Sequence, residues 1–262
     1  MQYQNILTEE RGGVFIVTLN RPQARNAINS AIWAELCDAF SGFEQNPGLK
    51  VAIITNNGPA FCAGADLKAI AAGWNEDPPE GFEDWGFAGL TKHYFEKPVI
   101  CAVRGFCLGG GTEIVLAADL VVASDASVFG LPEPRRGLTA AGGGALMRLG
   151  QQLPMKFAMQ LALTAEPVDA ATALRFGLIN AVVPDEETLE TALGFARSIA
   201  LSSPLAIRYT KRTIVETASK DATYPSEGWE IIHKYEQITR FSADAKEGST
   251  AFAEKRQPVW PS

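Results

Sequence analysis

The sequence predicts an α/β fold in which short strands alternate with helices and pair largely in parallel. Over the first two-thirds of the chain, short apolar runs recur and segments with helical spacing separate them. From Ala141 onward the pattern becomes almost entirely helical. Hydrophobic residues make up 47% and charged residues 20% of the 262 residues, which is the balance of a globular protein with a sizeable core.

The first elements are bounded by residues that end strands or begin helices. Residues 14–19 predict a strand that ends before Pro22, because proline cannot donate to a strand ladder. Ser30 is a candidate cap for the first helix. Residues 51–55 predict a second strand, and Asp66 is a candidate N-cap for the helix that follows.

The middle of the chain combines a long loop with a glycine-rich turn. Residues 73–86 are rich in Gly, Pro and acidic residues and lack periodicity, which predicts a mobile loop over a site. A helix is predicted over 87–96 and a strand over 99–103. The glycine turn over 105–111 then leads into another helix. That helix is predicted over 110–118, and a strand is predicted over 120–123.

The last third predicts a series of helices with one short strand among them. The helices are predicted over residues 154–163, 170–176, 186–201, 204–217, 226–241 and 243–255, and the strand over residues 179–183.

Composition excludes several classes of function. The net charge of −7 argues against general nucleic-acid binding, although a local basic patch remains open as a binding site for an anionic ligand. The cysteines have neither metal-ligand nor secreted-domain spacing, which predicts buried free thiols, no metal site and a cytoplasmic location. An export signal and a membrane-spanning run are not visible, so we expect no membrane partner. The cysteines are Cys37, Cys62, Cys101 and Cys107.

Two glutamates are the candidate catalytic residues. Glu113 follows the glycine turn, and Glu133 lies between Pro132 and Pro134 in a short apolar stretch. From position alone, Glu113 has the alternative role of complementing the dipole of its helix. Glu133 has little comparable role in a helix, and partial burial would raise its pKa toward the range useful in acid–base catalysis.

The glycine turn is a candidate binding site for negative charge. Free backbone N–H groups at a helix start bind an oxyanion or a phosphate. Residues 105–111 lack both the Gly-Lys-Ser/Thr of a P-loop and the spacing of a dinucleotide fingerprint. A second junction over 61–68 would place donors near Ala65 beside donors near Gly110, as in an oxyanion hole. A tight packing turn without a ligand remains the alternative.

Several motifs, in order, resemble one family. Residues 20–29 (Asn-Arg-Pro, then Asn-Ala-Ile-Asn) and residues 61–67 are similar to the first two signatures of the enoyl-CoA hydratase/isomerase (crotonase) superfamily. Residues 105–113 are similar to its third signature, and residues 244–256 resemble its closing helix. The resemblance covers nearly the whole chain, and the sequence is most like an enoyl-CoA hydratase.

The resemblance implies a fold and an assembly. It implies a crotonase-like spiral of ββα units over residues 1–200, which holds the CoA and acyl site. Residues 201–262 would form a helical C-terminal trimerisation region. The implied assembly is a homotrimer or a dimer of trimers.

The resemblance also assigns roles to single residues. The N–H groups of Ala65 and Gly110 would form the oxyanion hole for the thioester oxygen of an acyl-CoA substrate. No separate cofactor is implied, because coenzyme A is part of that substrate. The residues implied to line the CoA site are Ala24, Ala63, Asp66, Leu67 and Lys68.

The resemblance implies a reaction for the two glutamates. Glu113 would activate a water that adds to C3 of a trans-2-enoyl-CoA, and Glu133 would deliver a proton to C2, giving a 3-hydroxyacyl-CoA. The alternatives are an isomerase that uses only Glu133, another acyl-CoA dehydratase, and a non-catalytic acyl-CoA-binding homologue. The sequence departs from the family pattern at Pro134 and in residues 139–144, and we expect these departures to affect the orientation of Glu133.

Overall fold

The computed structural model describes residues 3–262, which form ten strands and ten α-helices joined by short 3₁₀ turns and loops. The strands are β1 (Ile6–Arg11), β2 (Val14–Leu19), β3 (Val51–Asn56), β4 (Ala60–Cys62), β5 (Val99–Val103), β6 (Phe106–Leu108), β7 (Leu120–Ser124), β8 (Val128–Gly130), β9 (Val168–Asp169) and β10 (Ala181–Val183). The helices are α1 (Ser30–Gln45), α2 (Leu67–Ala71), α3 (Gly110–Ala117), α4 (Ala145–Gln152), α5 (Met155–Thr164), α6 (Ala170–Arg175), α7 (Thr188–Ala200), α8 (Pro204–Thr217), α9 (Glu227–Arg240) and α10 (Ala243–Glu254).

The strands form two sheets that are built by a repeated ββα unit. The larger sheet has the order β1-β2-β3-β5-β7-β10, and the smaller has the order β4-β6-β8-β9. The units β3-β4-α2, β5-β6-α3 and β7-β8-α4 each give one strand to each sheet. Pairing is parallel except where β1 and β9 join the edges. The predicted α/β class, the largely parallel pairing and the spiral of ββα units are confirmed.

The larger sheet is buried on both faces, which explains its continuous apolar runs. Successive side chains of a strand point to opposite faces. Ile16 and Ile53 therefore pack with Leu193 of α7, while Val17 and Ile54 belong to the main core on the other face. A strand that is covered on both sides has no need of polar alternation, so its sequence is apolar throughout.

Helix starts follow the capping chemistry that the sequence predicts, with one shift. The side chain of Asp66 accepts hydrogen bonds from the amides of Lys68 and Ala69, so Asp66 caps α2 as predicted. The first helix begins at Ser30, but its cap is Asn29, whose side chain accepts from the amide of Ile32 at 3.2 Å. An Asn cap satisfies the same free amides as a Ser cap would.

The helix predicted over residues 87–96 is wrong. Only a 3₁₀ turn at Phe87–Gly89 forms, and Ala88 lies in the left-handed region with φ of 58°. Gly86, with φ of 70°, precedes the turn. The apolar residues Leu90 and Phe95 are buried in the core that includes α1. Their burial outweighs the weak local preference for a helix.

The later helices begin and end within two residues of their predicted bounds. The helix α4 and the strands β1, β4, β6, β8 and β9 were not predicted. The cysteines Cys37, Cys62, Cys101 and Cys107 are buried and free, as predicted. Within residues 3–262, no helix is long and apolar enough to cross a membrane. The division of the chain at residues 200 and 201 stays a prediction.

Candidate active site

Three parallel strands of the smaller sheet bring the candidate site together. β4, β6 and β8 lie side by side, with Cys62 opposite Cys107 and Cys107 opposite Phe129. Ala65 follows β4, Gly110 follows β6, and Glu133 follows β8. Because the carboxyl ends of parallel strands meet at one edge, the three segments converge although they are distant in sequence.

Buried hydrogen bonds fix the start of α3 against these strands. The amide of Gly109 donates to the carbonyl of Gly130 at 2.9 Å. The hydroxyl of Thr112, which has no solvent exposure, lies 2.8 Å from the carbonyl oxygen of Cys107 and 2.9 Å from that of Gly130. The first turn of α3 is therefore held at the ends of both β6 and β8.

The backbone amides of Ala65 and Gly110 have no acceptor in the described chain. Ile28 donates to the carbonyl of Gly64 and accepts from the amide of Asp66, each at 2.8 Å, so it holds the backbone on both sides of Ala65. Successive amides of an extended segment point to opposite sides, and the amide of Ala65 has no acceptor within residues 3–262. The amide of Gly110, at the start of α3, likewise has none in the described chain. Such a pair of donors suits an oxyanion.

Glu113 lies on the first turn of α3 and is only 5% exposed. Its Oε1 accepts a hydrogen bond from the amide of Gly143 at 2.9 Å and a longer one from the amide of Ala145 at 3.4 Å. Burial raises the pKa of this carboxyl, and although the two amides and Arg148 oppose the effect, the pKa stays above its ordinary value. A carboxylate that takes up a proton more readily is a better general base.

The backbone of Gly143 lies directly against this carboxyl. A side-chain carbon at Gly143 would come within 2.7 Å of both Cδ and Oε2 of Glu113. Arg148 closes the same loop by donating to the carbonyl of Gly143 at 2.7 Å, and it also donates to the carbonyl of Thr91. Residues 139–144, which depart from the family pattern in sequence, thus position Glu113 directly.

Glu133 begins a 3₁₀ turn, Glu133–Arg136, in which Pro134 occupies the first turn. Its Oε1 lies against Gly109, where a side-chain carbon would approach it to 2.8 Å. Its Oε2 is buried and has no hydrogen-bond partner in the described chain. Burial, joined by the nearby charge of Glu113, raises the pKa of Glu133 despite a backbone hydrogen bond that lowers it. These surroundings favour the protonated form, which is the form of a general acid.

The two glutamates and the two amides line one cavity of about 540 Å³, a size typical of small-molecule sites. The predicted site residues on its wall are Ala63, Ala65, Leu67, Gly110, Glu113 and Glu133. The cavity contains both a candidate oxyanion site and a pair of groups for proton transfer.

Three of the residues assigned to the CoA site do not line this cavity. Ala24 ends the 3₁₀ turn Pro22–Ala24. The carboxylate of Asp66 pairs with Arg21 at 2.7 Å and caps α2, so it serves the loop itself. The described contact of Lys68 is its amide, which donates to Asp66 at 3.0 Å. A role for Ala24, Asp66 and Lys68 in binding CoA stays a prediction.

Sequence reasoning missed several residues on the cavity wall. Glu76 and Glu83 come from the loop that was predicted over the site, and Trp33 comes from the inner face of α1. The aperiodic acidic composition was a signal for the loop, but it did not single out Glu76. Among the residues that the structure describes, no group of three or more His, Cys, Asp or Glu residues could hold a metal ion.

Comparison with known proteins supports one family. A family model described as Enoyl-CoA hydratase/isomerase matches residues 9–262. The "Carnitinyl-CoA dehydratase" of Proteus mirabilis is 40% identical, with 98% of each chain covered. Among solved structures, the enoyl-CoA hydratase EchA1 from Mycobacterium marinum is 41% identical, with 98% of each chain covered and a TM-score of 0.90. The carnitinyl-CoA hydratase from Mycobacterium avium is 45% identical, with 99% of each chain covered and a TM-score of 0.77.

Both the matched span and the shared architecture cover nearly the whole chain, including the segments that carry Ala65, Gly110, Glu113 and Glu133. The chain therefore belongs to the enoyl-CoA hydratase/isomerase (crotonase) family.

Proposed function

We propose that this protein catalyses the reversible hydration of a trans-2-enoyl-CoA to a 3-hydroxyacyl-CoA. One observation carries the proposal: Glu113 and Glu133 line the same cavity as the unpaired amides of Ala65 and Gly110. Hydration of a conjugated thioester requires a base, an acid and a site for the negative charge that develops on the thioester oxygen.

In the proposed mechanism, the thioester oxygen accepts hydrogen bonds from the amides of Ala65 and Gly110. Glu113, as carboxylate, takes a proton from a water molecule while the water oxygen forms a bond to C3. The electrons of the C2–C3 double bond move toward the thioester oxygen as an enolate, which the two amides stabilise. Glu133, as carboxylic acid, then delivers its proton to C2.

The surroundings of the two carboxyls fit this division of roles. The amides of Gly143 and Ala145 donate to Glu113 and so stabilise its ionised form in a buried position. No donor in the described chain reaches Oε2 of Glu133, and the charge of Glu113 further disfavours ionisation of Glu133. Two carboxyls in unlike environments are thereby set apart as base and acid.

The relatives supply a specific thioester for assay. Similar proteins are named for carnitinyl-CoA, whose acyl group carries its hydroxyl on the β-carbon and a trimethylammonium group on the γ-carbon. Dehydration of that thioester is the same reaction in the reverse direction. We therefore propose crotonyl-CoA and γ-trimethylammonio-crotonyl-CoA as the first two substrates to compare.

The test is the loss of the conjugated ultraviolet absorbance of the enoyl thioester when the protein is added. Glu113→Gln and Glu133→Gln should each lower hydration by about a hundredfold to ten-thousandfold, the usual contribution of a positioned acid or base. Glu10→Gln is a matched control, because its exposed side chain lies on β1 and does not line the cavity.

The alternatives give different results in the same assay. Tight binding of CoA thioesters with no absorbance change at any chain length would contradict hydration and favour the non-catalytic homologue. If Glu113→Gln leaves migration of a double bond intact, the isomerase becomes the better assignment, because that reaction needs only the Glu133 carboxyl.

The implied assembly is part of the proposal. Phe241 and Phe252, in the C-terminal helical region, are 77% and 87% exposed, and Val259 is 76% exposed. Contiguous exposed apolar patches mark protein–protein contacts, and these side chains are candidates to form one. This exposure supports a homotrimer or a dimer of trimers formed through residues 201–262, which light scattering would distinguish by mass.

A further inference from the structure

The wall of the active-site cavity carries a third carboxylate that the proposed mechanism does not use. Glu76 lies on the loop between α2 and the 3₁₀ turn at Phe87–Gly89, and it lines the same cavity as Glu113 and Glu133. Its backbone is left-handed, with φ of 58°, which residues other than glycine seldom adopt. The loop thus holds a charged residue at the cavity in an unfavourable backbone conformation.

Glu76 differs from its acidic neighbours in having no partner in the described chain. Glu83 also lines the cavity, but its Oε1 accepts a hydrogen bond from the amide of Gly81 at 3.0 Å. Asp77 and Glu80 do not line the cavity. Within residues 3–262, the carboxylate of Glu76 makes neither a hydrogen bond nor an ion pair within 4.0 Å. Glu76 is exposed to solvent, so its carboxylate is available to a ligand in the cavity.

The cavity wall also carries positively charged residues, and none of them pairs with Glu76. Arg25, Lys92 and Arg136 also line the cavity, but none forms a salt bridge with Glu76. Arg25 follows Ala24, which the family resemblance places at the CoA end, where its charge suits phosphate groups. The negative charge of Glu76 is close enough to Glu113 to raise the pKa of the Glu113 carboxyl.

Aromatic rings share the wall with Glu76. Trp33 and Phe87 both line the cavity, with ring centroids 5.5 Å apart. The ring of Phe87 packs against Gly110, where a side-chain carbon would come within 2.4 Å of it. Aromatic rings attract ammonium groups, and a carboxylate on the wall of the same cavity adds a charge of opposite sign. Phe87 therefore lies next to the residue proposed to hold the thioester oxygen, and Glu76 lies on the wall of the same cavity.

We propose that Glu76 is a specificity-determining residue that selects acyl-CoA thioesters whose acyl group ends in a positively charged ammonium group. The proposal rests on the proposed function only for the position of the thioester at Ala65 and Gly110. A neutral acyl group of the same shape leaves Glu76 without its counter-ion, so the discrimination is electrostatic rather than steric.

The test compares two enoyl thioesters of nearly equal shape. One is γ-trimethylammonio-crotonyl-CoA, and the other is its γ-tert-butyl analogue, in which carbon replaces nitrogen. For Glu76→Gln, the ratio of kcat/KM for the cationic substrate to that for the neutral one should fall about tenfold, the effect of about 1.4 kcal/mol. Glu80→Gln is the matched control, because both glutamates are exposed residues of the same loop but Glu80 does not line the cavity, and its ratio should stay at the wild-type value.

Two results would overturn the proposal. An unchanged ratio in Glu76→Gln shows that Glu76 does not sense the charge of the acyl group. An equal loss of activity on both substrates shows that Glu76 supports only the fold of the loop.

Calorimetry with the saturated forms of the two thioesters separates this proposal from the proposed function. Preferential binding of the cationic form that depends on Glu76, without turnover of either enoyl substrate, would support the selection and contradict hydration. Hydration of both substrates with equal efficiency by the wild-type protein would support hydration and contradict the selection.

Discussion

Substituting Gly143 by alanine is the sharpest test of how the structure positions Glu113. The added carbon would lie 2.7 Å from Cδ and Oε2 of Glu113, whereas an ordinary contact begins at 3.4 Å. The carboxyl, the Gly143 backbone or both must therefore move by about 0.7 Å. Because a misplacement of about 1 Å at a reacting group typically lowers the rate about a hundredfold, we expect Gly143→Ala to lower kcat/KM for hydration about ten- to a hundredfold.

The same substitution has an expected pH signature. The amide of Gly143 donates to Glu113 at 2.9 Å and so opposes the rise in pKa that burial causes. Displacing that donor should raise the pKa of Glu113 further. Since a general base works only when ionised, the acid limb of the profile of kcat/KM against pH should move to higher pH in Gly143→Ala.

The assay is the loss of enoyl thioester absorbance over a range of pH, with thermal unfolding measured alongside. Gly150→Ala is the matched control, because the added carbon on α4 would meet only the terminal carbon of Met155, at 4.0 Å. A folded Gly143→Ala protein whose rate and pH profile match those of the wild type would refute the assignment of Glu113 as the base held by this loop.

Two further predictions concern stability. Because burial raises the pKa of Glu133, the folded state disfavours its ionisation, and this group makes the protein less stable as the pH rises above its ordinary value of 4.5. The melting temperature of Glu133→Gln relative to wild type should therefore increase as the pH rises above 4.5. Asp66→Ala breaks the pair with Arg21 and removes the cap of α2, and should lower the free energy of unfolding by about 3 kcal/mol at neutral pH, while Asp66→Asn, which keeps a capping oxygen, should lower it less. Burial acts to raise the pKa of Asp66, but Arg21 and the capping amides lower it overall. The loss of unfolding free energy in Asp66→Ala, measured by urea unfolding, should therefore shrink as the pH falls below 3.8. A difference from wild type that does not change with pH would contradict the prediction for Glu133 or for Asp66.

Much of the fold could be predicted because the relevant signals are local. The strand at Val14–Leu19 and the helix at Pro204–Thr217 were predicted with their observed bounds, since apolar spacing and flanking prolines mark them. The strand at Ala60–Cys62 is too short to show a period, and it exists only because Phe106–Leu108 pairs with it. The segment after Gly86 has apolar residues at helical spacing, but it follows an irregular path in which these side chains are buried in the core.

The candidate site, like the fold, could be predicted only in part from the sequence. Glu113 and Glu133 could be selected from the sequence, because one follows a glycine turn at a helix start and the other lies between prolines. Their different surroundings could not be predicted, because the donors to Glu113 come from Gly143 and Ala145, which are distant in the sequence.

The sequence by itself determined the α/β class, the alternation of strands with helices and the choice of the two candidate glutamates. These depend on residue types and spacings that act over a few neighbouring positions. The tertiary structure decided that Glu113 accepts two amides while Oε2 of Glu133 is buried without a partner, and that Glu76 reaches the same cavity. Those properties arise only when parallel strands align their ends and distant loops pack against them, because burial and hydrogen bonding at one residue are set by segments far away in the chain.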